Sequence, residues 1–119
     1  MHFRSFIITI FTVVFCGTWV FAQKSYKSLV HEGNRFYENN KFEAAASSFM
    51  EAVKTDKNSY TAHYNLGNAL YRSKKYEEAI AEYQKASELS QNLHDKASAL
   101  HNLGNTYMQL NKPDKAAEF

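Results

Sequence analysis

Few side chains in this 119-residue chain could do chemistry. Beyond the N-terminal segment the histidines are His31, His63, His94 and His101. No two of them lie four apart, the spacing that sets two imidazoles on one helix face around a metal. His94 and His101 are seven apart, about 10 Å along a helix, which is too far to share an ion. The sequence has no H-E-x-x-H, no G-x-x-x-x-G-K-[ST] and no G-x-S-x-G, so zinc hydrolysis, phosphate cradling and the hydrolase elbow all lack their residues. Glu77, Glu78 and Asp114 fall where helices are predicted to start, positions that favour carboxylates for electrostatic reasons. The expectation is that the chain is not an enzyme and holds neither metal nor cofactor.

Composition narrows the class further. Net charge is +2, and Lys74-Lys75 is the sole adjacent basic pair. That gives no basic stripe for nucleic acid. Residues 1–22 read as a signal peptide. His2 and Arg4 form a short positive region, an apolar run follows with no charge before Lys24, and Val20-Phe21-Ala22 supplies a cleavage site before Gln23. The alternative is an uncleaved inner-membrane anchor, because the run approaches the roughly 20 residues that span a bilayer. Either way the chain is expected to be exported, to the periplasm or cell envelope. Bulky Phe15 ahead of Cys16 argues against lipidation, and cleavage would remove the only cysteine.

The elements that position the remaining residues are helices. From Ser25 onward apolar residues recur three and four apart. Three glycines, Gly33, Gly67 and Gly104, lie 34 and 37 residues apart, and each precedes an Asn. Ala45, Ala79 and Ala116 follow at a constant offset, with Phe49 and Tyr83 beyond the first two. A glycine inside a helix costs about 1 kcal/mol relative to Ala, so three in register require a packing reason. We expect close backbone approach of each glycine to the alanine of the next helix, with aromatics beside the contact. Helices are predicted at 26–38, 41–54, 60–73, 76–90 and 95–109, with a sixth beginning at 112. Asn39-Asn40 and Ser73-Lys74-Lys75 make turns, and Asn58-Ser59 caps the third helix. The three extra residues near Asn92 to Lys96 are expected to extend the fourth helix or lengthen the loop after it.

Such a period of about 34 residues resembles the tetratricopeptide repeat. The match is carried by Leu29, His63 and Leu100, by Leu66-Gly67 and Leu103-Gly104, and by Phe36, Leu70 and Tyr107. Glu32 departs from it, standing where the family has Leu. The resemblance implies an all-α fold, an α-solenoid of antiparallel helix pairs with about two and a half repeats. Residues 23–119 would form this domain, as repeats 26–59, 60–93 and an incomplete 97–119. By family geometry the concave face carries Asn34 and Tyr37, then Tyr64, Asn65, Asn68, Tyr71 and Arg72, then His101, Asn102 and Asn105. These are the expected partner-binding residues. An amide offers a donor and an acceptor, which matches the backbone of an extended peptide, and tyrosines add apolar area with a polar tip. The alternative is that these asparagines are ordinary solvent-facing residues. On the first reading Asn68→Ala weakens a groove ligand and leaves the fold intact. The family's clamp for chaperone tails is matched only at Asn34 and Asn65; Val30, Ser98 and Asn102 replace its basic residues, which argues against that ligand.

The leader, the repeats and the junction DKASALHNLGNTYMQL are together similar to small exported proteins of bacterial aerotolerance (Bat) operons. That resemblance implies a non-catalytic scaffold in an envelope complex, with membrane-anchored von Willebrand factor A-type subunits as protein partners and neither nucleic acid nor small-molecule substrate. Because Phe119 stops the sixth helix early, Leu103, Tyr107 and Leu110 are expected to be partly uncovered. Two alternatives follow: assembly with another subunit through that uncapped face, or a sequence that is a piece of a longer repeat protein.

Overall fold

The computed structural model describes residues 22–111. The leader, apart from Ala22, and the expected sixth helix lie outside them. The described chain is all helical: α1 (Tyr26–Glu38), α2 (Phe42–Thr55), α3 (Tyr60–Arg72), α4 (Tyr76–Leu89) and α5 (Leu93–Gln109). Each helix packs on its neighbours in sequence, α1 on α2, α2 on α3, α3 on α4 and α4 on α5, the pattern of a solenoid built from helix pairs.

Local chemistry sets the ends. Ser25, Ser59 and Asn92 cap α1, α3 and α5, each side-chain oxygen accepting from a backbone N–H three residues on. Helices α2 and α4 have no side-chain cap; Glu43, Glu77 and Glu78 in their first turns complement the helix dipole instead. Helices α1 and α3 end alike. Lys41 N–H donates to the Phe36 carbonyl and Asn40 N–H to that of Tyr37; Lys75 and Lys74 repeat the pattern on Leu70 and Tyr71. This pair of hydrogen bonds needs a left-handed residue, supplied by Asn40 (φ 59°) and Lys74 (φ 61°). Asn adopts that conformation at a lower cost than Lys. Lys74→Gly is therefore expected to raise stability by about 1 kcal/mol in urea unfolding, and a loss of stability would contradict this reading of the turn.

The core is a line of small and large residues along the helix pairs. Ala45, Ala52, Ala62, Ala69, Ala79, Ala86 and Ala99 are fully buried, alongside Phe49, Leu66, Leu70, Tyr83 and Leu103. At Gly33 and Gly67 the expected aromatic lies directly over the backbone: a Cβ on Gly33 would meet Phe49 at 2.5 Å, and one on Gly67 would meet Tyr83 at 2.7 Å. Missing side chains make room for rings inserted from the next helix. Glu32, at the position where Leu66 is buried in the next repeat, stays part-exposed and pairs with Lys24 at 3.0 Å.

The extra residues before α5 also go elsewhere than expected. Helix α4 has the same 14 residues as α2, whereas α5 has 17 against 13 in α1 and α3. Helix α5 gains a turn at its N-terminus because Asn92 and Asp95 close a reciprocal cap, Oδ1 accepting from Asp95 N–H at 2.8 Å while Nδ2 donates to its carboxylate at 2.9 Å. One further regularity escaped the sequence reading. Tyr26 and Tyr60 each open a first helix, and each phenol reaches the start of the next such helix, to Ser59 Oγ (2.6 Å) and the Asp95 carbonyl (2.9 Å).

Candidate partner-binding groove

Helices α1, α3 and α5 present the side chains of the candidate site, and α4 supports them from behind. A cleft of about 210 Å³ opens between them, lined by Tyr37, Asn68, Tyr71, Arg72, Tyr83, Asn102 and Asn105. A smaller one of about 40 Å³ adjoins it, lined by Asn34, Tyr37, Phe49, Asn65 and Asn68. Eight of the ten expected residues therefore line the two clefts. Tyr64 and His101 line neither. A larger depression of about 600 Å³ lies against α1 and α2, around Leu29, Glu32, Phe36 and Ser48; none of the expected residues faces it.

The floor of the main cleft is a polar network that locks three helices together. Tyr83 Oη donates to Asn68 Oδ1 at 2.6 Å. Asn102 Nδ2 donates both to that Oδ1 (3.2 Å) and to the Tyr64 hydroxyl (3.0 Å). With Oδ1 of Asn68 and Nδ2 of Asn102 occupied, the opposite halves of the two amides, a donor and an acceptor, are left for whatever enters the cleft. Tyr64 acts behind this floor. Its ring stacks on Tyr60 at 5.4 Å and meets the edge of Tyr83 at 6.0 Å. Asn68 thus has a structural duty that the sequence reading did not give it. Asn68→Ala would strip a buried phenol of its acceptor, so it is expected to cost about 1–3 kcal/mol of stability in addition to any groove contact.

Burial holds the Tyr83 phenol well above the ordinary tyrosine range, with the nearby Tyr64, Tyr37 and Tyr71 hydroxyls adding to the shift and Asn102 opposing it. Burial likewise pushes Tyr60 up to about 12. Below the unfolded value of 10.0 both states keep these protons. Above it the unfolded chain loses them and the fold does not, so stability should fall by up to ~1.4 kcal/mol per pH unit per phenol. Urea unfolding at about pH 9 and about pH 11 reads this slope, and Tyr83→Phe should flatten it; an unchanged slope would contradict the burial of this hydroxyl.

Among the described residues the rim carries one charge. The Arg72 guanidinium sits 4.4 Å from the centroid of the Phe42 ring, which in turn meets Tyr37 edge-on at 5.1 Å. Asn105 Nδ2 donates to His101 Nε2 at 3.2 Å on the exposed side of α5. Asn34 and Asn65 make no side-chain hydrogen bond among the described residues. His63 belongs to the core, its Nε2 bonded to the Lys57 carbonyl (2.8 Å) and its Nδ1 to Glu82 (2.7 Å). Among the described residues no group of three or more His, Cys, Asp or Glu could hold a metal, and no helix is long and apolar enough to cross a membrane. Tyr83 and Phe49 are the groove residues that sequence reasoning assigned to packing alone. One feature pointed to the first of them: Tyr83 replaces Phe49 at a buried repeat position, and a buried hydroxyl needs a partner.

The chain matches the family model described as "Tetratricopeptide repeat" over residues 59–119, more than half its length, and a second, "TPR repeat", over residues 33–74. No curated protein matches the sequence. Among solved structures it is similar to the N-terminal domain of stress-induced protein-1 from C. elegans, at 23% identity and a TM-score of 0.73, covering 78% of this chain and 76% of that one. The second TPR of Spaghetti (RPAP3), bound to the HSP90 peptide SRMEEVD, is 23% identical with a TM-score of 0.71, covering 81% and 86%. MamA is 28% identical with a TM-score of 0.72, covering 78% of this chain and 53% of its own. The first two likenesses speak to the fold.

Proposed function

The chain belongs to the tetratricopeptide repeat family, and from that premise we propose that it is a non-catalytic scaffold holding an extended segment of a partner protein along α1, α3 and α5. The observation that carries this is the fixed pair of Asn68 and Asn102. Their mutual hydrogen bond and the two tyrosines orient them, so the cleft floor offers one donor and one acceptor with no ordering cost. Those are the groups that the backbone of an extended segment needs. The peptide seated in the second repeat domain of Spaghetti supports the same use of the fold.

The test is selection of random-sequence peptides against the chain, followed by the double variant Asn65→Ala/Asn105→Ala. Neither side chain is tied to the core, so the melting midpoint should hold while selected peptides bind about tenfold more weakly. Failure to select any peptide, or undiminished binding to the variant, would overturn the proposal.

The apolar run and small residues ahead of Gln23 support a cell-envelope location, and the likeness to Bat-operon proteins supports von Willebrand factor A-type subunits as partners. N-terminal sequencing of the mature chain tests export: a start at Gln23 agrees with it, and an intact Met1 on chain recovered from the cytoplasm contradicts it.

A further inference from the structure

Within that groove, and resting on the groove reading, we propose a subsite for an acidic side chain of the bound segment. Among the described residues the main cleft has a single charged lining residue, Arg72, and no carboxylate. The guanidinium is held in place from below by the Phe42 ring at 4.4 Å. No ion pair among the described residues engages it. An exposed arginine that already spends its flat face on an aromatic keeps its N–H edge for a partner, and that edge matches a carboxylate in two-pronged geometry. Other donors converge on the same space. Asn68 Nδ2 has no partner among the described residues, because Tyr83 and Asn102 occupy only its oxygen. Tyr37 and Tyr71 line the same cleft, and neither hydroxyl makes a hydrogen bond among the described residues.

The alternatives fit less well. A basic side chain would meet Arg72, and a purely apolar one would leave the amide and hydroxyl donors unpaired. A cleft of about 210 Å³ accommodates one carboxylate side chain together with its flanking backbone. The subsite sits at the C-terminal ends of α1 and α3, where Tyr37, Tyr71 and Arg72 lie. Apart from Asn102, it does not use the positions of the family's chaperone-tail clamp, which here are Val30, Asn34, Asn65, Ser98 and Asn102. The acid is accordingly an internal Asp or Glu.

The experiment is selection of short random peptides with amidated C-termini on the native chain and on Arg72→Gln. Enrichment of Asp or Glu at one position on the native chain, lost on Arg72→Gln, is the expected result. Changing that acid to its amide should weaken binding to the native chain about tenfold or more and leave binding to Arg72→Gln unaffected. Peptides that occupy the groove with no acidic position, or with an acid preference that survives Arg72→Gln, overturn the subsite while leaving the groove itself standing. A parallel selection with free C-termini, in which only peptides keeping that terminal carboxylate bind, overturns it in favour of tail recognition. If no peptide binds in either selection, the subsite falls together with the groove.

Discussion

Tyr83→Ala should remove about 3–5 kcal/mol of stability, the cost of emptying a buried aromatic site. The residue is 2% exposed, its ring covers Gly67, and its hydroxyl holds the Asn68–Asn102 pair. A domain of this size has about 5–15 kcal/mol in total, so the variant would be largely unfolded on mild heating. Tyr83→Phe separates the two contributions. The ring stays, one hydrogen bond goes, and the loss should be about 1–2 kcal/mol. Urea unfolding followed by circular dichroism measures both. A Tyr83→Ala loss near that of Tyr83→Phe would mean that the ring does not fill the space over Gly67.

Gly67→Leu should be comparably severe, for the opposite reason. Even a Cβ would stand 2.7 Å from Tyr83 Cε1 and 2.8 Å from Cδ1, and the ring cannot swing aside without breaking its bond to Asn68. Overpacking commonly costs about 1–3 kcal/mol, and a whole leucine against an anchored ring belongs at or above the top of that range. The sign of the smaller change is informative too. Gly→Ala inside a helix ordinarily gains up to about 1 kcal/mol, so Gly67→Ala losing stability would isolate the clash. At Gly33 the overlying ring is Phe49, which has no hydroxyl to pin it but would meet a Cβ at 2.5 Å, closer than Tyr83 at Gly67, so Gly33→Ala should lose stability as well.

The fold was legible because its signals are local and repeated. Glycine, alanine and aromatic residues recur at intervals that only stacked helix pairs explain, and the first four helices fall within one residue of their predicted bounds. The start of α5 was misplaced although Asn92-x-x-Asp95 is a cap visible in sequence; the three inserted residues drew attention to the loop instead. The groove was legible as a face but not as a mechanism. Asn34, Asn68 and Asn105 read as three equal rungs, yet one has no side-chain bond, one anchors a buried phenol and one pairs with His101. What separates them is proximity across repeats. Asn68 meets Asn102 and Tyr83 only once α3, α4 and α5 stack, and no periodicity encodes which amide half is consumed there. Arg72 over Phe42 is likewise a contact between consecutive repeats, invisible to spacing within one.

The most direct test of the central claim follows the side-chain amide protons of Asn68 and Asn102 by NMR while a peptide selected on the chain is added. Binding along the concave face predicts that the Asn68 amide protons shift with the peptide's affinity, together with those of Asn65 and Asn105, while Tyr26 and His63 on the structural side stay still. A peptide that binds without moving the Asn68 and Asn102 resonances would place its site on another surface and contradict the account.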